Sequence, residues 1–362
     1  MPTHRKLRRV SIEGFRSIRK CDIELNSINI LIGGNGAGKT NFISAFVLLQ
    51  NILKKELQVY SSQSGSNALL YKGSKTTSSI RMNFDFTSDS YGFELIPASD
   101  GRIIFKDEYY ECNGTRSSII SSRGSMESHW EEGVENGMDS YVMPVLKNEE
   151  WRVYHFHDTS RTSKIKQEGE MQNNTSLTSD AGNIAAFLYR LRNEYPNHYR
   201  NILETVKLVA PFISDFVLEP YGISDQLIML RWRQVGCEET FGPSQLSDGT
   251  IRFICLTTLL LQPERFQPST IIIDEPELGL HPYAIIILSD MIREASKGIQ
   301  IIISTQSVEL LDEFNSEDVI IVETDSNGTR FKRLDEDDLR IWLNDDYHLG
   351  ELWKKNILGG RP

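Results

Sequence analysis

Hydrophobic residues occur along this chain both in short runs and at helical spacings. Residues 28–32 and 270–274 are mostly apolar and β-branched, which is typical of buried strands. Helices are predicted over residues 39–57, 183–191, 198–209, 250–261, 282–295 and 308–314. Between residues 270 and 314, strands and helices alternate, which is the βαβ rhythm of a parallel sheet.

Other hydrophobic runs favour antiparallel pairing. Residues 6–13 alternate apolar and polar positions, as a half-buried strand does. Five further β-like runs lie at 80–86, 91–95, 103–105, 319–323 and 329–333. Turn residues separate the first three of these runs, which indicates hairpins. The expected fold class is therefore α/β, with a mixed sheet, an antiparallel β subdomain and an inserted α-helical lobe.

Two polar stretches interrupt these elements. Residues 113–148 and 159–182 are polar, and we predict loops there. A partner or substrate could dock on such loops, and loops without a role would look the same. No heptad pattern persists, so we expect no long coiled coil.

The composition of the 362 residues is ordinary for a globular protein. No apolar run approaches the roughly 20 residues of a membrane span, and no apolar stretch follows the basic N-terminus, so we expect a cytoplasmic protein. No C-x-x-C pair occurs among four cysteines, which predicts free thiols. The net charge of −11 argues against a protein-wide nucleic-acid surface. The local basic patch His4-Arg5-Lys6 with Arg8-Arg9 fits either DNA contact or a solvated strand edge.

The most specific chemical motif is a glycine-rich loop between a predicted strand and a predicted helix. Residues 33–40 read GGNGAGKT and fit the pattern G-x-x-x-x-G-K-[ST]. Glycines let backbone N–H groups close around phosphate oxygens, and the helix N-terminus adds its positive end. A lysine supplies charge to the β- and γ-phosphates, and a hydroxyl can ligate Mg²⁺. ATP and Mg²⁺ are thus the expected cofactors, held by Gly33, Asn35, Gly36, Ala37, Gly38, Lys39 and Thr40.

Two further motifs follow far downstream. Asp274 ends an isoleucine-rich strand, where its carboxylate can hold the Mg²⁺ shell, and the adjacent Glu275 can polarise water. The run LSDGT at residues 246–250 lies upstream of that strand. Alone it is a polar turn in which Ser247 or Asp248 caps the next helix. Its position relative to the other motifs makes it a candidate part of the nucleotide site.

In this order, the motifs resemble those of ABC-type ATPase heads of the SMC, RecF and OLD group. The run LSDGT resembles the group's signature motif, ELGLHP at residues 277–282 resembles its D-loop, and EGFRSI at residues 13–18 resembles its opening turn. The resemblance adds Arg16 to the expected ATP-binding residues. It covers residues 1–57 and 240–325. The layout is most similar to compact stand-alone members, many of which look like subunits of bacterial defence systems.

The resemblance implies a P-loop NTPase fold of ABC type and a composite active site. In such heads two subunits associate head to tail. Ser247 and Gly249 of one copy, with Asp248 between them, would face the γ-phosphate held by Lys39 of the other. Glu275 would be the general base. ATP would hold the pair together, and hydrolysis would release it.

Two features depart from the group's pattern. The group often has a histidine at the end of the strand after the Asp-Glu pair, where this chain has Gln306. Glutamine can orient water and sense the γ-phosphate but cannot titrate near neutral pH, so we expect slow, partner-stimulated hydrolysis. The Q-loop glutamine of the group has no assignable counterpart. Because few residues follow Gln306, we expect no Toprim domain of the kind that OLD-type nucleases have.

His155 and His157 would share one face of a strand and are a candidate metal pair. Because no further ligand follows at a suitable spacing, we expect no metal there. The next residues, 158–161, are a candidate contact to the nucleotide pocket.

The motifs predict an N-terminal ATPase lobe over residues 1–112, inserted loops and a helical lobe over 113–240, and a C-terminal ATPase lobe over 241–362. The expected function is an ATP-hydrolysing homodimeric switch in anti-phage or anti-plasmid defence, controlling a separate nuclease or toxin. The alternative is a RecF-like ATPase that binds duplex DNA in repair. A transporter subunit fits less well, because the opening turn and the long insertion do not suit one.

Overall fold

The computed structural model describes residues 6–86, 89–135, 151–220, 226–335 and 347–360. Packing divides the chain into two compact units, residues 1–153 with 300–362 and residues 154–299. The division follows packing, whereas the three predicted segments follow motif positions and stay a prediction. His4 and Arg5 of the basic patch, and predicted loop residues 136–148, lie outside the described residues.

The strands are numbered in chain order. They are β1 Arg9–Phe15, β2 Ile18–Glu24, β3 Ile28–Ile32, β4 Ile80–Asp85, β5 Asp89–Pro97, β6 Ile103–Cys112, β7 Thr115–Ser118, β8 Trp151–Tyr154, β9 Gly169–Glu170, β10 Ile213–Val217, β11 Leu227–Ile228, β12 Arg231–Gln234, β13 Thr240–Phe241, β14 Thr270–Asp274, β15 Gln300–Thr305, β16 Val319–Asp325 and β17 Gly328–Arg333.

The α-helices are numbered in the same way. They are α1 Lys39–Leu53, α2 Leu57–Ser64, α3 Ser66–Leu69, α4 Trp130–Glu135, α5 Ile184–Glu194, α6 Pro196–Val209, α7 Asp248–Leu261, α8 Pro282–Ala295, α9 Val308–Leu311 and α10 Leu349–Lys354. The predicted helices and strands are thus largely confirmed, and the fold is α/β as expected. Two predictions are wrong: the stretches predicted as loops also contain β7, α4 and β9, and β8 ends at Tyr154, before the two histidines that were expected on a strand.

The first unit contains an antiparallel sheet in the order β2-β1-β4-β5-β6-β7. The hairpins predicted from residues 80–105 form its centre. Strand β2 has no counterpart in the predictions, because its sequence IRKCDIE mixes charged and apolar residues. Its buried positions become evident only once β1 pairs with it.

A second set of strands in the same unit supports the glycine-rich loop. Strand β3 pairs in parallel with β15 on one side and with β16 on the other, and β17 continues the sheet antiparallel to β16. All five residues of β3 are buried. Helix α1 lies between the two sheets, since its Phe42 ring is 5.2 Å from Phe331 of β17 and its Phe46 ring is 5.7 Å from Phe84 of β4.

The predicted helix over residues 39–57 is too long. Helix α1 ends at Leu53, and Lys55 has a left-handed φ of 59°, which stops a right-handed helix. A new helix, α2, begins at Leu57 because the Glu127 carboxylate accepts the N–H groups of Leu57 and Gln58 at 2.9 and 3.0 Å. A carboxylate 70 residues away therefore sets the boundary.

The second unit is mainly helical around the buried strand β14. Helix α7 packs against α6 and α8, and α5 packs against α6. The unit also holds small antiparallel sheets, β10-β12-β13 and β11-β9, which the helical-lobe prediction did not include. They are two to five residues per strand, too short to show a clear alternation.

Two compositional expectations can be checked on the described residues. Cys21, Cys112, Cys237 and Cys255 are all free thiols, as predicted. Among the described helices, none combines the length and the apolar character that a membrane span requires.

Candidate functional site

The glycine-rich loop follows β3 directly and leads into α1, as the motif requires. Lys39 is 5% exposed, and its Nζ donates to the carbonyl oxygens of Gly33 at 2.6 Å and Gly34 at 3.1 Å. The ammonium group is thus held at the centre of the loop. Thr40 is exposed beside it, with its hydroxyl on the same first turn of α1. Since that turn carries no acidic residue, nothing there opposes a phosphate.

Two glycines of the loop are required by their neighbours. A Cβ on Gly33 would meet the carbonyl oxygen of Val322 in β16, and a Cβ on Gly38 would meet the Thr329 side chain of β17. Gly38 also has a φ of +109°, which other residues rarely adopt. The loop is therefore shaped by the β16–β17 hairpin, more than 280 residues downstream of it.

The opening turn reaches the start of α1 through Ser17. The Ser17 hydroxyl accepts from Asn41 Nδ2 at 2.6 Å and lies 2.7 Å from the Thr329 hydroxyl. Arg16 has a left-handed φ of 49°, and its guanidinium donates to the Tyr60 hydroxyl of α2 at 3.1 Å. The structure thus connects Ser17 with the phosphate loop and directs Arg16 toward α2, so an ATP contact of Arg16 stays a prediction.

Gln306 lies at the same sheet edge as the loop. Thr305, the last residue of β15, is paired with Ile32, the last residue of β3. Gln306 and Gly33 are the residues that follow this pair, so they are neighbours across two parallel strands. Gln306 is half-buried there, and its roles in sensing the γ-phosphate and in catalysis stay predictions.

An open cleft of about 490 Å³ lies on one side of the loop. Its lining includes Asn35, Gly36, Asp325 and Arg330. The Thr324 hydroxyl donates to the Ala37 carbonyl at 2.8 Å, which anchors the loop to β16. The cleft leaves the exposed Asn35 and Gly36 accessible from the side.

In the second unit, Asp274 ends β14 and Glu275 follows at the predicted position. Both side chains are half-buried. Glu275 has a left-handed φ of 41°, a conformation that costs of order 1–3 kcal/mol for a non-glycine residue. Such strain is concentrated at functional sites because it fixes the direction of a side chain. The left-handed backbone thus sets the direction of the Glu275 side chain at the end of β14, and its role as the base stays a prediction.

The LSDGT run forms the start of α7. Ser247 is the N-cap: its Oγ accepts the Thr250 N–H at 3.1 Å. This decides between the two predicted caps and moves the helix start from Thr250 to Asp248. Lys166 donates to Asp248 at 3.1 Å, and this hydrogen bond lowers the pKa of Asp248 below its ordinary value. An exposed carboxylate at the start of α7 is thereby paired with a cation.

The signature turn and the D-loop are packed against each other within the second unit. A Cβ on Gly249 would collide with the carbonyl oxygen of Gly279, so only glycine fits. Arg252 of α7 donates to the carbonyls of Leu278 at 2.7 Å, His157 at 2.8 Å and Phe156 at 3.1 Å. One guanidinium thus ties α7 to the D-loop and to the segment after β8.

The two histidines after β8 are brought to the end of β14. His157 Nε2 donates to the backbone carbonyl of Asp274 at 2.7 Å. Desolvation lowers the pKa of His155 from its ordinary value, and the Asp274 carboxylate opposes that shift. Sequence spacing showed no third ligand for this pair, and the fold supplies a carboxylate 117 residues from His157.

The observations fit a phosphate ligand in the first unit and a divalent-cation shell in the second. The glycine cradle, the buried lysine and the acid-free helix start suit a triphosphate. Thr40 in the first unit and Asp274 in the second unit each offer an oxygen atom of the kind that Mg²⁺ prefers, and a shared shell stays a prediction. Sequence reasoning missed Asn41, Thr329, Lys166 and Arg252, because each acts through a tertiary contact that no local motif encodes.

Comparisons with known proteins agree with the motifs. Residues 148–312 match the family described as "AAA domain, putative AbiEii toxin, Type IV TA system", and residues 6–180 match "AAA ATPase domain". The endonuclease GajA of Bacillus cereus (strain VD045) is 23% identical over an alignment of 358 residues, which covers 88% of this chain and 58% of GajA. The chain thus spans less than two thirds of this relative.

Solved structures of similar fold are Smc head domains. A head bound to the C-terminal winged-helix domain of ScpA has a TM-score of 0.59 at 15% identity, covering 90% of this chain and 96% of that one. A head from Pyrococcus furiosus, with an extended coiled coil and bound to the C-terminal domain of ScpA, has a TM-score of 0.57 at 15% identity, covering 94% and 99%. These likenesses confirm the predicted fold.

Proposed function

We propose, from the premise that this chain is an ABC-type ATPase of the SMC- and OLD-like group, that it is an ATP-gated dimeric switch. Two copies associate head to tail when ATP is bound, and hydrolysis separates them. In each composite site one copy supplies the phosphate loop and the other supplies the signature turn.

One observation supports this proposal: within the described residues, helix α1 starts at a lysine, whereas helix α7 starts at an aspartate that is already paired with a lysine. Helix α1 begins with Lys39 and has no acid in its first turn. Helix α7 begins with Asp248, whose charge is matched by Lys166 within the unit. With the charge of Asp248 balanced, the start of α7 offers a phosphate its backbone N–H groups and the Ser247 hydroxyl but no net positive charge. Such a start suits a phosphate whose charge is already balanced by the loop of another copy.

The chemistry follows from the carboxylates after β14. Thr40 and Asp274 would hold Mg²⁺, which offsets the charge of the phosphates. Glu275 accepts the proton of the attacking water, and Gln306 orients that water from the end of β15. Because Gln306 cannot titrate near neutral pH, the turnover is slow until a partner completes the site.

The switch is proposed to control an effector in defence against phage or plasmids. The support is the likeness to GajA, which is named an endonuclease, together with the family described as a putative AbiEii toxin. Tandem-affinity purification from the native host should retain a nuclease or toxin. Retention of duplex DNA, with ATP-dependent and salt-sensitive binding, would instead favour the RecF-like alternative.

Light scattering of the Glu275→Gln variant tests the switch. This variant removes the base and keeps the phosphate loop, so ATP should convert it from monomer to dimer, with hydrolysis reduced about a hundredfold. The control is Glu294→Gln, an exposed carboxylate near the end of α8 that pairs with Lys297. A Glu275→Gln chain that binds ATP and stays monomeric would refute the proposal.

A further inference from the structure

Two histidines and one carboxylate converge in the second unit. Within the described part of the chain, one ligand atom from each of His155, His157 and Asp274 lies within 4.8 Å of the others. The two imidazole rings have centroids 6.4 Å apart and an interplanar angle of 59°. The ligands come from the segment after β8 and from the end of β14, so the tertiary structure assembles them.

His157 is held in the way that metal-binding histidines usually are. Its Nε2 lies 2.7 Å from the Asp274 carbonyl oxygen, which can only accept. Nε2 therefore carries the hydrogen, and the lone pair is on Nδ1. Arg252 fixes the backbone on this segment by donating to the carbonyls of Phe156 and His157. Hydrogen bonds of this type orient an imidazole before a metal arrives.

We propose that His155, His157 and Asp274 bind a divalent transition-metal cation, such as Zn²⁺, Co²⁺ or Mn²⁺. Two imidazoles and a carboxylate suit these cations, whereas Mg²⁺ prefers oxygen ligands. Bonds of about 2.1 Å place tetrahedral ligand atoms about 3.4 Å apart, so ligand atoms that now lie within 4.8 Å of one another approach by up to about 1.4 Å on binding. Three protein ligands leave at least one coordination position for water.

The proposed site goes beyond the switch and is linked to it through one residue. Asp274 is the carboxylate that the proposed function assigns to the Mg²⁺ shell of the nucleotide. A transition metal held by His155 and His157 would therefore lie at the same end of β14 as the Mg²⁺ of the nucleotide. The two cations would either compete for the Asp274 carboxylate or share it. Binding of the transition metal itself needs neither ATP nor a second copy, so it can be measured separately.

The experiment is a Co²⁺ titration of the nucleotide-free full chain, followed by visible absorption and by calorimetry. We expect one tightly bound equivalent with a ligand-field spectrum of mixed nitrogen and oxygen coordination. His155→Ala and His157→Ala should each weaken binding about tenfold or more. His348→Ala, which removes an exposed histidine of the first unit, should bind as the wild type does. An excess of Mg²⁺ should leave Co²⁺ bound.

Equal Co²⁺ affinity in the wild type and in both histidine variants would overturn the assignment, as would displacement by Mg²⁺ at a similar concentration. The Ser247→Arg variant separates this result from the dimer proposal. Its substitution lies at the signature turn and leaves all three ligands intact, so it should bind Co²⁺ normally even if it fails to dimerise. The exposed position of His155 makes a folding defect in His155→Ala a minor concern.

Discussion

Helices α1 and α7 both start at a glycine-containing turn, yet their N-termini carry opposite charges. Helix α1 starts at the buried Lys39, next to a glycine with a φ of +109°. Helix α7 starts at the exposed Asp248 after a serine cap. The first start has a cation and no acidic residue in its first turn, and the second has an aspartate that is neutralised by Lys166.

The opposite charges at the starts of α1 and α7 explain why the phosphate-binding loop alone does not describe the whole proposed function. A helix N-terminus attracts anions through its dipole by up to roughly 1–2 kcal/mol, and a carboxylate in the first turn offsets that attraction. The Lys166–Asp248 pair restores it without supplying a net charge. Helix α7 therefore suits an anion whose charge is already matched elsewhere, which in our account is the γ-phosphate on a second copy.

The largest effect is expected at α1. Lys39→Ala removes the buried ammonium that faces the phosphates, and ATP binding should fall about a hundredfold or more, as for other buried charge partners worth about 3 kcal/mol. Calorimetric titration with ATP measures this. The control is Lys55→Ala, which loses an exposed ion pair with Glu131 and should bind normally. Normal ATP affinity in Lys39→Ala would remove α1 from the nucleotide site.

The next effect is expected at the cap of α7. Ser247→Arg places a bulky cation at the signature turn and should abolish hydrolysis while ATP binding to the monomer is retained. Ser247→Thr keeps a capping hydroxyl and should keep activity, which separates the function of the turn from the roughly 1 kcal/mol that a cap contributes to stability. Steady-state hydrolysis and ATP titration together decide the outcome. Hydrolysis by Ser247→Arg at the normal rate would contradict the composite site.

A smaller effect tests the charge pairing directly. Lys166→Ala removes the cation that is hydrogen-bonded to Asp248, so KM for ATP should rise by up to about fivefold, as for an exposed ion pair worth about 1 kcal/mol. Lys164→Ala, two residues away and paired with Asp180, is the matched control. The double variant Lys166→Ala with Asp248→Asn should recover the normal KM. If the double variant is as impaired as the single one, the charge of Asp248 is not the cause.

The pH dependence of that effect has a definite sign. Hydrogen bonding from Lys166 lowers the pKa of Asp248, so the carboxylate is charged throughout the neutral range. The gap in KM between Lys166→Ala and the wild type should persist at neutral pH. It should shrink only in acid, when Asp248 itself becomes protonated. If the difference in KM disappeared between pH 6 and pH 8, a group other than Asp248 would be responsible. An imidazole, with an ordinary pKa of about 6.5, titrates in that range.

Most of the fold was predictable, because parallel strands and hairpins have local patterns. Strand β14 and helix α8 begin and end where their sequences predict, since both are bounded by turn residues. The end of α1 was not predictable, because Lys55 and the distant Glu127 decide it. Strand β2 was missed because its charged residues hide the alternation.

The candidate site likewise has parts that the sequence predicts and parts that only the tertiary structure shows. The glycine loop and the strand before Asp274 were predictable because backbone geometry requires their residue types locally. The pairing of Lys166 with Asp248 spans 82 residues, and the approach of His157 to Asp274 spans 117. Only the folded chain brings such partners together. Gln306 was predicted from its strand, and the pairing of β3 with β15 places it next to Gly33.

The central claim is that one copy lacks a complete active site, and mixing two inactive variants tests it most directly. Lys39→Ala and Ser247→Arg chains should each be inactive alone. A mixed dimer carries one intact site, formed by Lys39 of one chain and Ser247 of the other. Neither variant can form an ATP-bound pair with itself, whereas a mixed dimer can form around its one intact site. An equal mixture should therefore hydrolyse ATP well above either component, at up to about half of the wild-type rate per chain, since a mixed dimer has one active site of two. A mixture as inactive as its components, although both chains are folded and the Ser247→Arg chain binds ATP, would contradict the account.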